Sequence, residues 1–237
     1  MSPDSFSNRC NIIEAIARVS AAADKSRFSS HALSCVEVCE AAPVGATGAT
    51  RWLRAAATDG KILFVAYCPR PDKWPACSFN VEAAGLVQVR ALAKRMERIL
   101  SNRVYDKIPM TKHIRASILN AETGDATEEG DALAIEVPKA REGAVVAINR
   151  FEFARWSAMM HPRPFLHGFA HGGISGKYLE LASRFLGCRP GLTPMPMTDG
   201  KHNLFRGGEY AGRQHDFAII MPITLPALGT EFPFGEP

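Results

Sequence analysis

The chain has 237 residues, 46% hydrophobic and 22% charged, with 28 Lys and Arg against 24 Asp and Glu for a net charge of +4. That apolar share and small net charge exclude a disordered chain, and the length can bury a core without disulfide staples. No stretch approaches the roughly 18 unbroken apolar residues of a membrane helix, and the first ten residues (MSPDSFSNRC) lack the order of a secretory signal, so a cytoplasmic protein is expected.

Residues 11–24 (NIIEAIARVSAAAD) read as a short amphipathic helix, because Ile12, Ile16 and Val19 recur at i, i+4, i+7 with Glu14 and Arg18 opposite. Past KSRFSS come three strand-like segments, LSCVEVCE, RWLRAAATDG and KILFVAYC. Thr58-Asp59-Gly60 is a tight turn that joins the last two as a hairpin. PRPDKWP then breaks the pattern ahead of the clearest helix, 82–102. There Leu86, Val89, Leu92, Ala93, Met96 and Leu100 fill one arc, while Arg90, Lys94 and Arg98 line another at four-residue spacing. Like charges at that spacing repel one another. A one-signed face of this kind reads as a solvated surface or as a face for a polyanion.

IRASILN and ALAIEVP are further strands joined by the acidic loop AETGDATEEGD, and AVVAI at 144–148 runs into a helix-prone stretch, NRFEFARWSAMM. The Pro-, Gly- and His-rich segment 161–173 reads as a linker or long loop. SGKYLELASRFLG is a second amphipathic helix: Tyr178, Leu181, Ala182 and Phe185 face inward, Lys177 and Arg184 lie on another face, and Gly187 ends it. Strands broken by turns at TDGK and RGGEYAGR follow, closing with the apolar run FAIIMPITL. The recurring order of helices, strands and T-D-G turns (58–60 and 198–200) suggests a duplicated helix-plus-sheet unit. We expect two domains, 1–140 and 141–237.

Catalytic templates fail. There is no G-x-S-x-G and no G-x-G-x-x-G after a strand, and GGISGK is one residue short of a phosphate loop with Tyr178 where Ser or Thr should follow Lys177. The six cysteines form no C-x-x-C pair and read as buried thiols. His161, His167 and His171 fall close together, but no Asp or Glu lies between Glu152 and Glu180 to complete a metal site. Loop histidines are therefore the leading reading, and a metal-dependent enzyme built on this segment is an alternative. No enzyme activity, metal or cofactor is expected.

KSRFSSHALSCVEV followed by RWLRAAATDGKILFVAYC is similar to the loop and strand hairpin near the start of a domain in bacterial DNA polymerase sliding clamps. GGISGKYLELASRFLG and the chain that follows resemble the end of the same family's last domain, where an N-x-x-Y-L helix precedes a T-D turn and the final strand reads V-M-P-M-R-L. The matching pieces here are Lys177-Tyr178-Leu179, Thr198-Asp199 and Ile219-Ile220-Met221-Pro222-Ile223-Thr224-Leu225. Residues 80–165 match in element order only.

The resemblance implies an α+β clamp-like fold, with antiparallel sheets outside, helices lining an inner face, and two repeated units. It implies a non-catalytic polymerase processivity factor that encircles duplex DNA without reading its sequence. Arg27, Arg90, Lys94, Arg98, Lys177 and Arg184 would face DNA. Polymerase and clamp loader would dock through short peptides in a pocket formed by Thr58, Gly60, Lys61, Leu63, Ile219, Met221 and Pro222. The protein would be cytoplasmic and nucleoid-associated, with no membrane partner. Family rings have three domains per chain; two here would require three subunits to close six domains. A clamp-derived module that does not form a ring is the runner-up. The chain departs from the family in its basic charge, its shorter second half and the tail past Leu225 (PALGTEFPFGEP, 226–237).

Overall fold

A computed structural model describes residues 11–23, 31–43, 45–46, 50–100, 112–153, 174–187, 195–196, 203–207 and 215–221. The first helix, α1 (Ile12–Val19), starts where the Asn11 side chain accepts the Glu14 amide at 3.1 Å, satisfying one of the donors that a helix start leaves open. Its face of Ile12, Ala15, Ile16 and Val19 is buried. A four-residue turn, α2 (His31–Ser34), leads into β1 (Val36–Glu40), β2 (Trp52–Thr58) and β3 (Ile62–Pro69), the last two paired as the expected hairpin. Then come β4 (Phe79–Val81), α3 (Ala83–Leu100), β5 (Arg115–Leu119), β6 (Ala132–Val137) and β7 (Glu142–Asn149). The described part closes with α4 (Gly176–Leu186), β8 (Met195–Pro196), β9 (Asn203–Arg206) and β10 (Phe217–Ile220). Gly187, at φ 69, ends α4 in the left-handed conformation that the sequence assigns to it.

The ten strands form one antiparallel sheet in the order β5-β6-β7-β4-β1-β2-β3-β10-β9-β8. Among the described residues there are three sets of one helix and three strands: α1 with β1–β3, α3 with β5–β7, and α4 with β8–β10. β4 joins the first two sets by pairing with β1 and β7, and β10 joins the third to the first by pairing with β3. Residue 140, where the expected division between two domains falls, is the last residue of the 3-10 turn Pro138–Ala140 between the paired strands β6 and β7.

Alternation along the strands sends Val36, Val38, Leu53, Ile62 and Phe64 to the helix side, where they share one core with α1, α3 and α4. Phe64 of β3 stacks on Phe185 of α4 with ring centres 4.3 Å apart. Each ring buried this way contributes roughly 1.5–3 kcal/mol. The helix expected over 149–160 is corrected in part: Asn149 ends β7 and 150–153 is irregular, while the remainder lies outside the described residues. The reason is local. Asn80 Nδ2 donates to Asn149 Oδ1 and to the Phe151 carbonyl, at 3.0 and 2.7 Å, and fixes the chain away from helical geometry.

Candidate nucleic-acid face and partner-docking corner

The helices turn their apolar arcs to the sheet, so their opposite sides face solvent. On α3 the buried residues are Leu86, Val89, Leu92 and Met96, and Lys94, Glu97 and Arg98 are exposed. On α4, Lys177, Glu180 and Arg184 are exposed while Ala182, Phe185 and Leu186 are buried. Arg184 pairs with Glu180 at 2.5 Å, and the Lys177 ammonium lies 5.7 Å from the Tyr178 ring centre. Arg27 lies outside the described residues.

Arg90 does different work. Its Nε donates to Ser20 Oγ at 2.7 Å and Nη2 donates to the Ser20 carbonyl at 2.9 Å. Ser20 is the C-cap of α1 and fully buried, so the guanidinium ties α3 to the negative end of α1. Burial lowers the Arg90 pKa from its ordinary value. Arg95, on the same helix, pairs with Glu142 at 2.6 Å.

The second group of residues meets at one corner of the sheet. Gly60 takes φ +85, a conformation that L side chains rarely adopt, and so allows the tight turn between β2 and β3. Thr58 Oγ1 accepts the Gly60 amide at 3.0 Å, and Asp59 Oδ1 accepts the amides of Lys61 and Ile62 at 2.8 and 2.9 Å. Tyr178 Oη of α4 donates to the other oxygen, Asp59 Oδ2, at 3.1 Å. The Met221 amide, just past β10, donates to the Lys61 carbonyl at 2.9 Å. One turn therefore gathers β2, β3, the end of β10 and the start of α4.

Register places Thr58 opposite Leu63, Leu63 opposite Ile219 and Ile219 opposite Leu204, a single row across β2, β3, β10 and β9 on the face away from the helices. Leu63 and Ile219 are only 6% and 2% exposed, whereas Met221 is 40% exposed and Lys61 is exposed. The structure thus brings six of the seven predicted pocket positions together; Pro222 lies outside the described residues. Two neighbours escaped the sequence reading. Phe153 packs into the same apolar cluster as Leu63 and Ile219, and Tyr178 holds the turn through its hydroxyl. The aromatic pair in RFEF was the available signal for Phe153, and Tyr178 stood in the matched K-Y-L triplet but was assigned to the helix core.

His161, His167 and His171 lie outside the described residues. Among the described residues no cluster of three His, Cys, Asp or Glu could hold a metal, and no helix is long and apolar enough to cross a membrane. Cys35, Cys39 and Cys68 are buried thiols, as read from the sequence, and burial pushes Cys35 up to about 11; Cys77 is half-buried, and Cys10 and Cys188 lie outside the described residues.

This arrangement, repeated helix-plus-three-strand sets with helices on one face of a continuous antiparallel sheet, is the fold of the DNA polymerase sliding clamps. The chain is similar to the DNA polymerase III beta subunit of Thermotoga maritima, with a TM-score of 0.55 and 12% identity over 91% of this chain and 64% of that one. It is likewise similar to the Caulobacter crescentus polymerase III beta protein, with a TM-score of 0.50 and 12% identity over 90% and 63% of the two chains. It spans less than two thirds of the length of either. No protein-family model and no curated protein matches the chain.

Proposed function

We propose that the chain is a non-catalytic, clamp-like processivity factor that associates with duplex DNA through its helical face and holds polymerase and loader peptides at the T-D-G corner. The observation that carries this is the placement of Lys94, Arg98, Lys177 and Arg184 on the solvent side of the helices of a clamp fold. Cations at that density, offset by Glu97 and Glu180, attract phosphates weakly and without sequence preference, which suits a protein that slides. Tethering a polymerase raises its local concentration to about the millimolar range, so dissociation is followed by recapture rather than loss. The finer arrangement we propose is a homo-oligomeric ring acting on cytoplasmic, nucleoid DNA.

Duplex binding across a salt series tests the reading. Association should weaken as salt rises, with a log–log slope of about −0.9 per phosphate contacted. The Lys94→Ala, Arg98→Ala, Lys177→Ala variant should show a flatter slope. Duplex binding that is absent, or insensitive to salt, ends the proposal. One observation favours the non-ring module as a second reading: Arg90, Arg95 and Arg184 have partners within the chain, which thins the basic face. A stable monomer at micromolar concentration would select that reading over the ring.

A further inference from the structure

Three stretches of sequence bring cations to one end of the sheet. α3 runs antiparallel to β7, with Gly85 against Val146 and Ala147 and Arg95 paired with Glu142, so its C-terminal end points at the β6–β7 turn. Lys139 and Arg141 stand on that turn. Arg115 lies opposite Glu136, near the end of β6, and Lys73 bridges to Arg115 in parallel register. Lys112 and Lys139 are close enough to His113 to repel its charged form. Lys73, Lys112, Arg115, Lys139 and Arg141 are all exposed, and none has an ion-pair partner among the described residues. Glu142 is taken by Arg95, so these five cations have only Asp72 and Glu136 as described acids beside them.

Structural needs do not account for this charge. Cations on an outermost strand guard an open edge against pairing, but the β5 edge is already covered. The Lys73 carbonyl accepts the Ala116 amide and the Ile118 carbonyl accepts the Thr127 amide, both at 2.9 Å. Arg141 is, among the described residues, the one non-glycine with positive φ, at 53. A turn that would be free of strain with glycine thus carries a long cation instead.

We propose that this end of the sheet binds the phosphate backbone of single-stranded DNA, an inference that rests on reading the chain as a DNA-associated clamp. Shape selects the single strand. Lys73 and Arg115 are next in the chain to the core residues Trp74 and Ile114, so they point to the face away from the helices. Lys139 and Arg141 sit at the end of the sheet, and Lys94 and Arg98 continue the charge on the helical side. The cations therefore turn a corner, which a stiff duplex cannot follow within one protein and a flexible single strand can. Composition argues against an acidic peptide as occupant. Such a peptide needs apolar anchors, and the one large exposed hydrophobic near this end is Val145, a register row in from Gly143. With phosphate contacts alone the binding is sequence-independent and strongly salt-dependent.

The probe is a fluorescein-labelled oligothymidylate of about 20 nucleotides, longer than the roughly 4–16 that a single-strand site occupies. It is titrated into the intact chain and into the chain carrying Lys112→Ala, Lys139→Ala and Arg141→Gly. All three positions are exposed and glycine adopts the φ of Arg141 without strain, so this variant should melt no lower than the intact chain. Its affinity for the probe should fall about 100-fold at about 0.1 M salt, and its log–log salt slope should flatten by about 2, from about 0.7 for each phosphate contact removed. Lys139→Glu alone should weaken binding at least about fivefold. Blunt duplex should bind all three chains alike. No probe binding by the intact chain, unchanged probe binding in the variants, or an equal loss for blunt duplex overturns the proposal. A polyglutamate peptide that binds as tightly as the oligothymidylate also overturns it and assigns the corner to an acidic protein. Failure with the single strand while salt-dependent duplex binding persists removes this inference and leaves the clamp reading standing, whereas an intact chain that binds neither loses both.

Discussion

Arg18 of α1 and Asp216, just ahead of β10, meet at 2.8 Å across 198 residues of sequence, and the carboxylate is only 1% exposed. Asp216 Oδ1 also accepts the Tyr67 amide of β3 at 3.0 Å, and the same Arg18 nitrogen donates to the Phe185 carbonyl at the end of α4 at 3.1 Å. One charge pair thus binds α1, α4, β3 and β10, joining the first and third helix-plus-sheet sets. Removing Asp216 takes the acceptor from the buried Tyr67 amide and the buried carboxylate from Arg18, which keeps its ion pair with the part-exposed Glu14 at 3.0 Å. Asp216→Ala should lower unfolding free energy by about 3–5 kcal/mol in urea titrations. A loss under about 1 kcal/mol would show that the two sets do not depend on this contact.

Arg90 and Lys94, one helical turn apart, should separate cleanly in mutagenesis. Arg90→Ala strips two charge-assisted hydrogen bonds from Ser20, each of the kind that contributes about 1.5–3 kcal/mol. Its cost should therefore appear in thermal melts, with the salt slope of DNA binding unchanged. Lys94→Ala, on an exposed position, should do the reverse. If Arg90→Ala flattens the DNA salt slope while leaving stability intact, its assignment to α1 capping fails.

The T-D-G corner offers a graded series. Tyr178→Phe deletes one hydrogen bond to Asp59 and should cost about 0.5–1.5 kcal/mol. Gly60→Ala meets no neighbour within 4 Å, so its whole cost is the left-handed backbone, about 1–2 kcal/mol. Combining the two should depart from additivity by about 0.5 kcal/mol or more, because both act on the turn that Asp59 holds. Denaturant melts of the three variants check this; a neutral Gly60→Ala would mean the turn does not hold its positive φ in solution.

How far the sequence could carry this reading depended on range. The arcs Ile12, Ile16, Val19 and Leu86, Val89, Leu92 repeat within a few residues, so α1 and α3 were legible, and Thr58-Asp59-Gly60 announced the β2–β3 hairpin from three adjacent residues. β4 was not, because three residues between an irregular loop and a helix leave no period to detect. Arg90 looked identical to Lys94 and Arg98 in the stripe, since its partner Ser20 is 70 residues away. Tyr178 and Asp59 lie 119 residues apart, so the bond that fixes the candidate corner belongs to tertiary structure alone. Ile219 and Met221 read equally well as pocket or core in the sequence, and their difference in exposure, 2% against 40%, belongs to tertiary structure.

His113 supplies the pH dependence. Burial lowers its pKa below the ordinary 6.5, and Lys139 and Lys112 add repulsion; its buried Nε2 meets no hydrogen-bond partner among the described residues. The unfolded chain therefore takes up a proton at this site at higher pH than the folded one. Above about pH 6.5 the site favours the folded state; as pH falls from there through the lower folded value that advantage is lost, and below both values it changes no further. Glu40, held low by Arg51, loses its own contribution only below its ordinary 4.5, so the two effects occupy separate windows. His113→Gln should reduce the drop in melting temperature between about pH 7 and pH 5 while leaving the steeper acid loss below it unchanged. Identical melting curves for the two chains across that interval would assign the dependence to another group.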